Sequence, residues 1–121
     1  MMLSGFVLYV ASLSQSVGLY SEILEQSPTR QSDDFALFVT PAGQSLRLWQ
    51  QDKVIPTISA TVGGAEVVLN VGSLNELQAQ WRRWQSLGLQ PIQPIETLSF
   101  GETFMMTDPD GHRLRLMRLS V

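Results

Sequence analysis

Residues 68–76 read Val-Leu-Asn-Val-Gly-Ser-Leu-Asn-Glu, and residues 7–15 read Val-Leu-Tyr-Val-Ala-Ser-Leu-Ser-Gln. The two stretches share their order of apolar and polar residues at an offset of 68 − 7 = 61 positions. A second pair, residues 41–49 and 109–117, repeats the order Pro, Gly, Leu-Arg-Leu at an offset of 109 − 41 = 68 positions. Two copies are too few for a solenoid. The repeat therefore predicts a domain made of two fused half-domains of similar structure.

The composition is that of an ordinary globular chain. Its 121 residues are 44% hydrophobic and 16% charged, which suits one domain covering residues 1–121. A net charge of −3 gives no basic surface for a nucleic acid or an anionic membrane. The absence of cysteine excludes disulfides, thiolate catalysis and cysteine-ligated zinc. The first ten residues carry no basic side chain, so we expect no signal peptide or membrane span, and a cytoplasmic protein.

The first half has the pattern of a strand, a helix and further strands. A helix capped by Ser12 or Ser14 follows the first apolar run, and Pro28 ends it in a polar loop over residues 29–34. A turn at residues 41–43 joins two later strand-like runs into a hairpin. The predicted strands are residues 6–10, 35–40, 45–50 and 57–62.

The second half repeats this plan. Ser73 and Glu76 form a capping box at the start of a helix that stops at Gly88, a residue suited to a left-handed cap. Pro91 and Pro94 punctuate an irregular edge segment. The sequence Asp-Pro-Asp-Gly at residues 108–111 predicts a tight hairpin turn. The predicted strands are residues 66–71, 100–106 and 113–119, so that each half is read as β-α-β-β-β.

The chain resembles the vicinal-oxygen-chelate superfamily, which contains glyoxalase I, bleomycin-resistance proteins and extradiol dioxygenases. The resemblance lies in VLYVASL at residues 7–13, GLYSEIL at residues 18–24 and the closing DPDGHRLRLM at residues 108–117. It implies an α+β fold of two tandem β-α-β-β-β modules, about 1–56 and 57–121, that form a curved mixed sheet around a cavity. The segments FALFVTPAG and FGETFMMTDPDGHRLRL look closest to the small metal-free phenazine-antibiotic resistance proteins.

Metal-dependent members of this superfamily place one ligand on the first strand and one on the last strand of each module. The resemblance carries these positions onto Gly5, Arg47, Glu66 and Arg115 of this chain. A divalent cation binds imidazole or carboxylate groups, whereas glycine has no side chain and arginine stays protonated. The one histidine, His112, lies beside the predicted turn and not at a ligand position. We therefore expect no metal and no cofactor.

Two interpretations of the vacated metal position remain open. In the first, Glu66 and Arg115 face each other across the sheet and form a structural ion pair. In the second, one guanidinium, with Arg47 as a candidate, is left over and binds the carboxylate of a ligand through two parallel hydrogen bonds. Replacement of Arg47 by Ala separates them, because only the second interpretation predicts a loss of ligand affinity.

Strand alternation assigns side chains to the implied cavity. Arg47 and Trp49 share one face of their strand, and Leu46 and Leu48 share the other. If the two leucines pack on the helix, Arg47 and Trp49 point into the cavity. An ordinary core position is the alternative for Trp49.

The same parity places Tyr9 on the face of Gly5 and Asn70 on the face of Glu66. A planar aromatic ligand with a carboxylate suits this mixture of rings, charge and amide, because stacking adds about 0.5–1.5 kcal/mol beyond burial. The candidate ligand-binding residues are Trp49, Tyr9, Arg47, Asn70, Glu66 and Arg115.

Two main functional hypotheses follow, with no catalytic residue in the first. The first is a metal-free, antibiotic-resistance type of protein that sequesters a hydrophobic, planar aromatic small molecule. The alternative is an enzyme of the same superfamily: a metal-dependent lyase, isomerase or oxygenase, or one that uses Glu66 as a base. A third is a structural or regulatory domain whose cavity has closed. Sheet edges and an apolar concave face favour a homodimer.

Overall fold

The computed structural model describes residues 3–58 and 65–119. The chain divides into two compact units, Met1–Ala60 and Thr61–Val121. Each unit contains one helix and one four-stranded mixed sheet, and each follows the order β-α-β-β-β. The predicted α+β fold with two repeated modules is confirmed at this level. No helix within the described ranges has the length and apolarity needed to cross a membrane.

Unit 1 pairs its first strand in parallel with its last. The sheet order is β1-β4-β3-β2; the β1–β4 contact is parallel, and the other contacts are antiparallel. Helix α1 connects β1 to the rest of the sheet and packs on β3 and β4. The elements are β1 (Gly5–Val10), α1 (Leu13–Leu24), β2 (Arg30–Gln31), β3 (Phe35–Val39), β4 (Ser45–Gln50) and a short 3-10 helix (Gln51–Lys53).

Helix α1 begins and ends at residues with capping geometry. The Ser12 hydroxyl accepts a 3.4 Å hydrogen bond from the amide of Gln15, which confirms Ser12 as the cap. The chain leaves the helix at Glu25, whose φ of 54° is left-handed. The side chain of Gln50 then ties the start of the helix to β4, because it accepts from the amide of Leu13 at 2.8 Å and donates to the carbonyl of Ala11 at 2.6 Å.

The face of sheet 1 that packs on α1 is apolar and buried. Leu46 is 8% exposed and Leu48 is fully buried, as the alternation along β4 predicts. Complete burial of one such side chain contributes about 1.5–3 kcal/mol to folding. The opposite face carries the odd-numbered residues of β1, β3 and β4. The other buried strand residues of this core are Leu8, Val10, Ala36 and Phe38.

Unit 2 has the same topology. Its sheet order is β5-β8-β7-β6, with a parallel β5–β8 contact and antiparallel β8–β7 and β7–β6 contacts. The predicted turn at residues 108–111 joins β7 and β8, where the amide of Gly111 donates to the carbonyl of Asp108. The elements are β5 (Glu66–Asn70), α2 (Leu74–Ser86), β6 (Gln90–Leu98), β7 (Gly101–Thr107) and β8 (Arg113–Leu119).

Helix α2 carries the predicted capping box with one difference. The Ser73 hydroxyl accepts from the amide of Glu76 at 3.1 Å, and the Glu76 carboxylate accepts from the amide of Gly72, one residue before the cap. Gly88, with a φ of 95°, follows the helix as expected. On the side of α2 that packs against the sheet, the ring of Trp84 meets Phe104 edge-to-face at a centroid distance of 5.1 Å.

Three predicted segments differ in the structure. The predicted loop at residues 29–34 contains strand β2, a two-residue edge strand. The predicted strand at 57–62 is absent at residues 57 and 58, and its remaining residues lie outside the described ranges. The segment with Pro91 and Pro94 is irregular, as expected, yet it forms the nine-residue strand β6. Proline is tolerated there because β6 is an edge strand, and its pairing with β7 shifts register on either side of Gln93.

Candidate functional site

An aromatic row crosses the open face of sheet 1. In the sheet register Tyr9 lies beside Trp49 on β1 and β4, and Phe35 lies beside Trp49 on β3. The rings of Phe35 and Trp49 meet edge-to-face, with centroids 6.3 Å apart and an interplanar angle of 86°. All three side chains are half-buried. We call Tyr9, Trp49 and Phe35 the aromatic row; the sequence pattern predicted the first two members as one wall and left Phe35 unassigned.

Arg47 lies on the same face, two residues before Trp49. Its Nη1 donates a 3.1 Å hydrogen bond to the hydroxyl of Ser45, and that hydroxyl donates in turn to the carbonyl of Ser4. Within residues 3–58 and 65–119, Arg47 forms no ion pair and no other side-chain hydrogen bond. Ser45 therefore orients one edge of a half-buried guanidinium, and the remaining N–H groups of Arg47 are available to a ligand.

Steric constraints favour glycine at position 5. Its φ of +150° is one that residues with a side chain rarely adopt, and a Cβ added there would overlap the carbonyl oxygen and the hydroxyl of Ser45. The absence of a side chain at Gly5 therefore leaves no free space, because Ser45 of the neighbouring strand occupies it.

Glu66 and Arg115 form the predicted ion pair in unit 2. The Nε of Arg115 donates to Oε1 of Glu66 at 2.6 Å, and the two side chains are 20% and 36% exposed, respectively. The Nη1 of Arg115 also donates to the side-chain oxygen of Gln93 at 3.0 Å and to the hydroxyl of Thr103 at 3.3 Å. The Thr103 hydroxyl is buried and donates to the carbonyl of Leu116. Arg115 is therefore held from three sides.

The remaining candidate, Asn70, lies at the far end of β5 from Glu66. It is exposed, it pairs in register with Met117, and its side chain makes no hydrogen bond to any described residue. The structure thus brings Tyr9, Arg47 and Trp49 onto one face of unit 1. It brings Glu66 and Arg115 into contact in unit 2, with Asn70 on the same strand face as Glu66 but without a link to the ion pair.

The residues at the superfamily metal-ligand positions do not fit a divalent cation. The positions that the sequence resemblance assigns to unit 1 hold Gly5, which has no side chain, and Arg47, which carries a permanent positive charge. In unit 2 the carboxylate of Glu66 is bound to the guanidinium of Arg115. Neither pair offers the set of imidazole and carboxylate donors that zinc, iron or manganese requires.

His112 is buried and lies beside the turn that joins β7 and β8. It is 3% exposed, and its Nδ1 lies 2.9 Å from Oδ2 of Asp108. The other oxygen of Asp108 accepts from the amides of Asp110 and His112 at 3.0 and 2.8 Å. The side chains of Asp108, Asp110 and His112 lie close enough to share an ion. However, the hydrogen bonds of Asp108 are those of a side chain that stabilises the β7–β8 turn.

A depression of about 290 Å³ opens on unit 2. Arg115 borders it together with Arg113, which lies two residues earlier on the same face of β8. Sequence reasoning did not select Arg113, Gln93 or Thr103. The parity of β8 places Arg113 beside Arg115 and was a usable signal, whereas the position of Gln93 depends on the irregular pairing of β6. The lining residues are Ile92, Gln93, Met105, Arg113 and Arg115.

The fold and its repeated modules define a class of protein, and the comparison with family models agrees. The chain belongs to the Glyoxalase/Bleomycin resistance protein/Dioxygenase superfamily, whose model matches residues 3–116. This match confirms the family to which the sequence motifs pointed.

Particular relatives show how far the similarity extends. The solution NMR structure of protein ATC0852 from Agrobacterium tumefaciens is 32% identical, covers 100% of both chains and superposes with a TM-score of 0.89. A glyoxalase-related enzyme from Fulvimarina pelagi shares the fold at 19% identity, with a TM-score of 0.85 over 98% of this chain and 88% of that one. The phenazine antibiotic resistance protein EhpR of Enterobacter agglomerans is 23% identical over 93% of this chain and 88% of its own length.

Proposed function

We propose that this protein is a metal-free binding protein that sequesters a planar aromatic carboxylate, and that the open face of sheet 1 holds the ligand. The observation that carries the proposal is the placement of Arg47 next to the aromatic row on one half-buried sheet face. Trp49 and Tyr9 supply flat surfaces, and the free N–H groups of Arg47 supply a fork for a carboxylate. This arrangement supports binding and offers no pair of groups for acid–base or nucleophilic chemistry.

The expected energies favour a ligand that has both a ring system and a negative charge. Stacking on an aromatic side chain contributes about 0.5–1.5 kcal/mol beyond the burial of the ring. A hydrogen bond to a charged group contributes about 1.5–3 kcal/mol. Arg47 is already oriented by Ser45, so less conformational entropy is lost when a carboxylate binds.

A resistance role has support from the relatives. The name of EhpR refers to phenazine antibiotics, which are planar aromatic molecules, and that protein matches this chain over most of both lengths. The family also contains dioxygenases. The metal-dependent alternative requires donors that Gly5 and Arg47 in unit 1 and the bonded pair in unit 2 do not provide. We therefore place the protein with the binding members of the family.

In this proposal the residues of unit 2 have two different roles. Glu66 and Arg115 are a structural pair that neutralises the vacated ligand position. Asn70, whose amide is exposed and without a partner among the described residues, is available for a ligand hydrogen bond.

We further propose that the protein is a homodimer. Strand β1 is an edge of sheet 1, and the apolar side chains of Leu3 and Phe6 near this edge are 83% and 65% exposed. An exposed strand edge with apolar side chains is unfavourable unless it is covered. Light scattering after gel filtration should give about 27 kDa, twice the 13.5 kDa of one chain.

Calorimetric titration with phenazine-1-carboxylate and with uncharged phenazine tests the function. We expect Arg47→Ala to weaken the carboxylate by about ten-fold and phenazine by less than about two-fold, because only the carboxylate loses a charge-assisted hydrogen bond. Arg82→Ala, which removes the same charge from an exposed position on α2, is the matched control and should change neither affinity. An unchanged affinity in Arg47→Ala, together with lowered stability, would leave Arg47 a purely structural role.

A further inference from the structure

We propose that the depression on unit 2 is a binding site for a small organic acid, whose carboxylate is held by Arg113 and Arg115. Its five lining residues all belong to unit 2. The inference does not depend on Arg47 or on the aromatic row, so it can fail while the proposed function stands, and the reverse.

The charges around the depression do not balance. Arg113 and Arg115 both line it, and the one carboxylate in ion-pair contact with either of them among the described residues is that of Glu66. Two positive charges face one negative charge, which leaves a local surplus of one positive charge on a protein whose net charge is −3. A surplus guanidinium beside a concave surface favours an anionic ligand.

The two arginine side chains carry N–H groups without a partner among the described residues. The side chain of Arg113 is exposed and forms no hydrogen bond or ion pair within residues 3–58 and 65–119. Arg115 uses Nε and Nη1 for its three partners, and its Nη2 has no partner in the same ranges. The two side chains together therefore offer more N–H groups than a carboxylate needs.

The guanidinium of Arg115 is already oriented before a ligand binds. Glu66, Gln93 and Thr103 fix its guanidinium, and Thr103 is itself anchored to the carbonyl of Leu116. Gln93 reaches this place because the β6–β7 pairing shifts register on both sides of it. Such irregularities redirect side chains next to sites. A ligand that binds a pre-oriented group loses less entropy than one that must order it.

The lining and size of the depression indicate the class of acid. Ile92, which is 47% exposed, supplies an apolar wall, and Met105, which also lines the depression, is only 2% exposed. The volume of about 290 Å³ lies just below the roughly 300–1,000 Å³ found for small-molecule sites, which favours a small ligand. A carboxylate on a single ring or a short branched chain satisfies both features. A free phosphate would leave the apolar wall unused.

The test is an NMR titration of the full chain with sodium benzoate, with benzamide and inorganic phosphate as comparison ligands. We expect benzoate to shift the Nε–Hε signals of Arg113 and Arg115, and benzamide and phosphate each to bind at least about ten-fold more weakly. Arg113→Gln should weaken benzoate by about ten-fold. Because Arg113 is exposed and unpaired among the described residues, this variant is expected to fold normally.

Two further variants make the test specific. Arg82→Gln removes an equal charge from an exposed position on α2, the helix whose Trp81 and Trp84 rings contact Phe104 on the other face of sheet 2. This variant and Lys53→Gln, which removes a charge from an exposed position of the 3-10 helix in unit 1, should each retain benzoate affinity within about two-fold. The inference is overturned if Arg82→Gln weakens benzoate as much as Arg113→Gln, if phosphate binds as tightly as benzoate, or if wild-type protein shows no shift at either arginine.

Discussion

The Nε of Arg115 donates a 2.6 Å hydrogen bond to Oε1 of Glu66. Of the four positions that the sequence resemblance assigns to metal ligands, Glu66 is the one that has a carboxylate in this chain. A positively charged side chain of the same unit already occupies that carboxylate. The same contact holds Arg115 at the border of the depression on unit 2. One ion pair thus explains the poor fit to a metal and the orientation of a candidate anion-binding group.

The Glu66–Arg115 pair should contribute modestly to stability. A double-mutant cycle of Glu66→Gln and Arg115→Met, measured by urea unfolding, should give a coupling free energy of about 0.5–1 kcal/mol, since solvent screens a pair of which Glu66 is 36% exposed. The matched cycle of Glu66→Gln with Arg113→Gln should give a smaller coupling free energy, because no ion pair joins these two neighbours. Arg113 is the register neighbour of Glu66 without an ion pair to it. Equal coupling in both cycles would contradict the geometry.

Gly5→Ala should destabilise unit 1 by about 1–3 kcal/mol, because it combines an unfavourable φ with an overlap against Ser45. Gly18→Ala is the matched control. Gly18 lies within α1, with open space where its Cβ would stand, so the change should raise the free energy of unfolding by up to about 1 kcal/mol. Thermal and urea unfolding of both variants test this. If Gly5→Ala changed the free energy of unfolding as little as Gly18→Ala, the edge strand β1 would have to shift to accommodate the added methyl group.

Asp108→Ala should cost about 3 kcal/mol of stability, because it leaves the buried amide of His112 and that of Asp110 without an acceptor. Asp108→Asn keeps an oxygen at the position of Oδ1 and should cost less. Asp33→Ala, at an exposed position, is the control, and its free energy of unfolding should lie within about 0.5 kcal/mol of that of the wild type. The midpoints of urea unfolding, compared among variants that share the same dependence of the unfolding free energy on urea concentration, test these three values. Identical losses for the Ala and Asn variants would mean that the two amide bonds are unimportant.

Substitution of the buried Trp84 should affect mainly stability, whereas substitution of the half-buried Trp49 should affect mainly ligand binding. Trp84 is 1% exposed and packs on Phe104, so Trp84→Ala should cost about 3–5 kcal/mol. Trp49 is half-buried, so Trp49→Ala should cost clearly less stability and should weaken phenazine-1-carboxylate by about ten-fold. Unfolding curves and calorimetric titrations on the same samples test both statements. Retained affinity in a folded Trp49→Ala variant would remove the aromatic row from the proposed site.

Much of the fold was predictable because its signals are local. The repeated motif predicted two equivalent modules. The start of α2 was predictable because Ser73 and Glu76, three residues apart, form a capping box. The two-residue strand β2 carries no such signal, since its pairing with β3 alone defines it. Strand β6 was obscured by Pro91 and Pro94, which the edge of a sheet tolerates.

The candidate site was predictable where strand parity decides it. Alternation along β4 correctly separated Arg47 and Trp49 from the buried leucines. Contacts that depend on a neighbouring strand were not predictable in this way. The hydroxyl of Ser45 fills the space beside Gly5, and Gln93 reaches Arg115 only through an irregular strand pairing. Both depend on backbone geometry that the order of residues does not encode locally.

Native mass spectrometry of freshly purified protein, set against the mass of the denatured chain, tests the central claim most directly. The account predicts a native mass that contains no divalent metal and that increases by one ligand mass per chain when phenazine-1-carboxylate is added. This increase should persist after treatment with a chelator. A stoichiometric divalent metal in the native protein, lost together with ligand binding on chelation, would contradict the account and favour a metal-dependent enzyme.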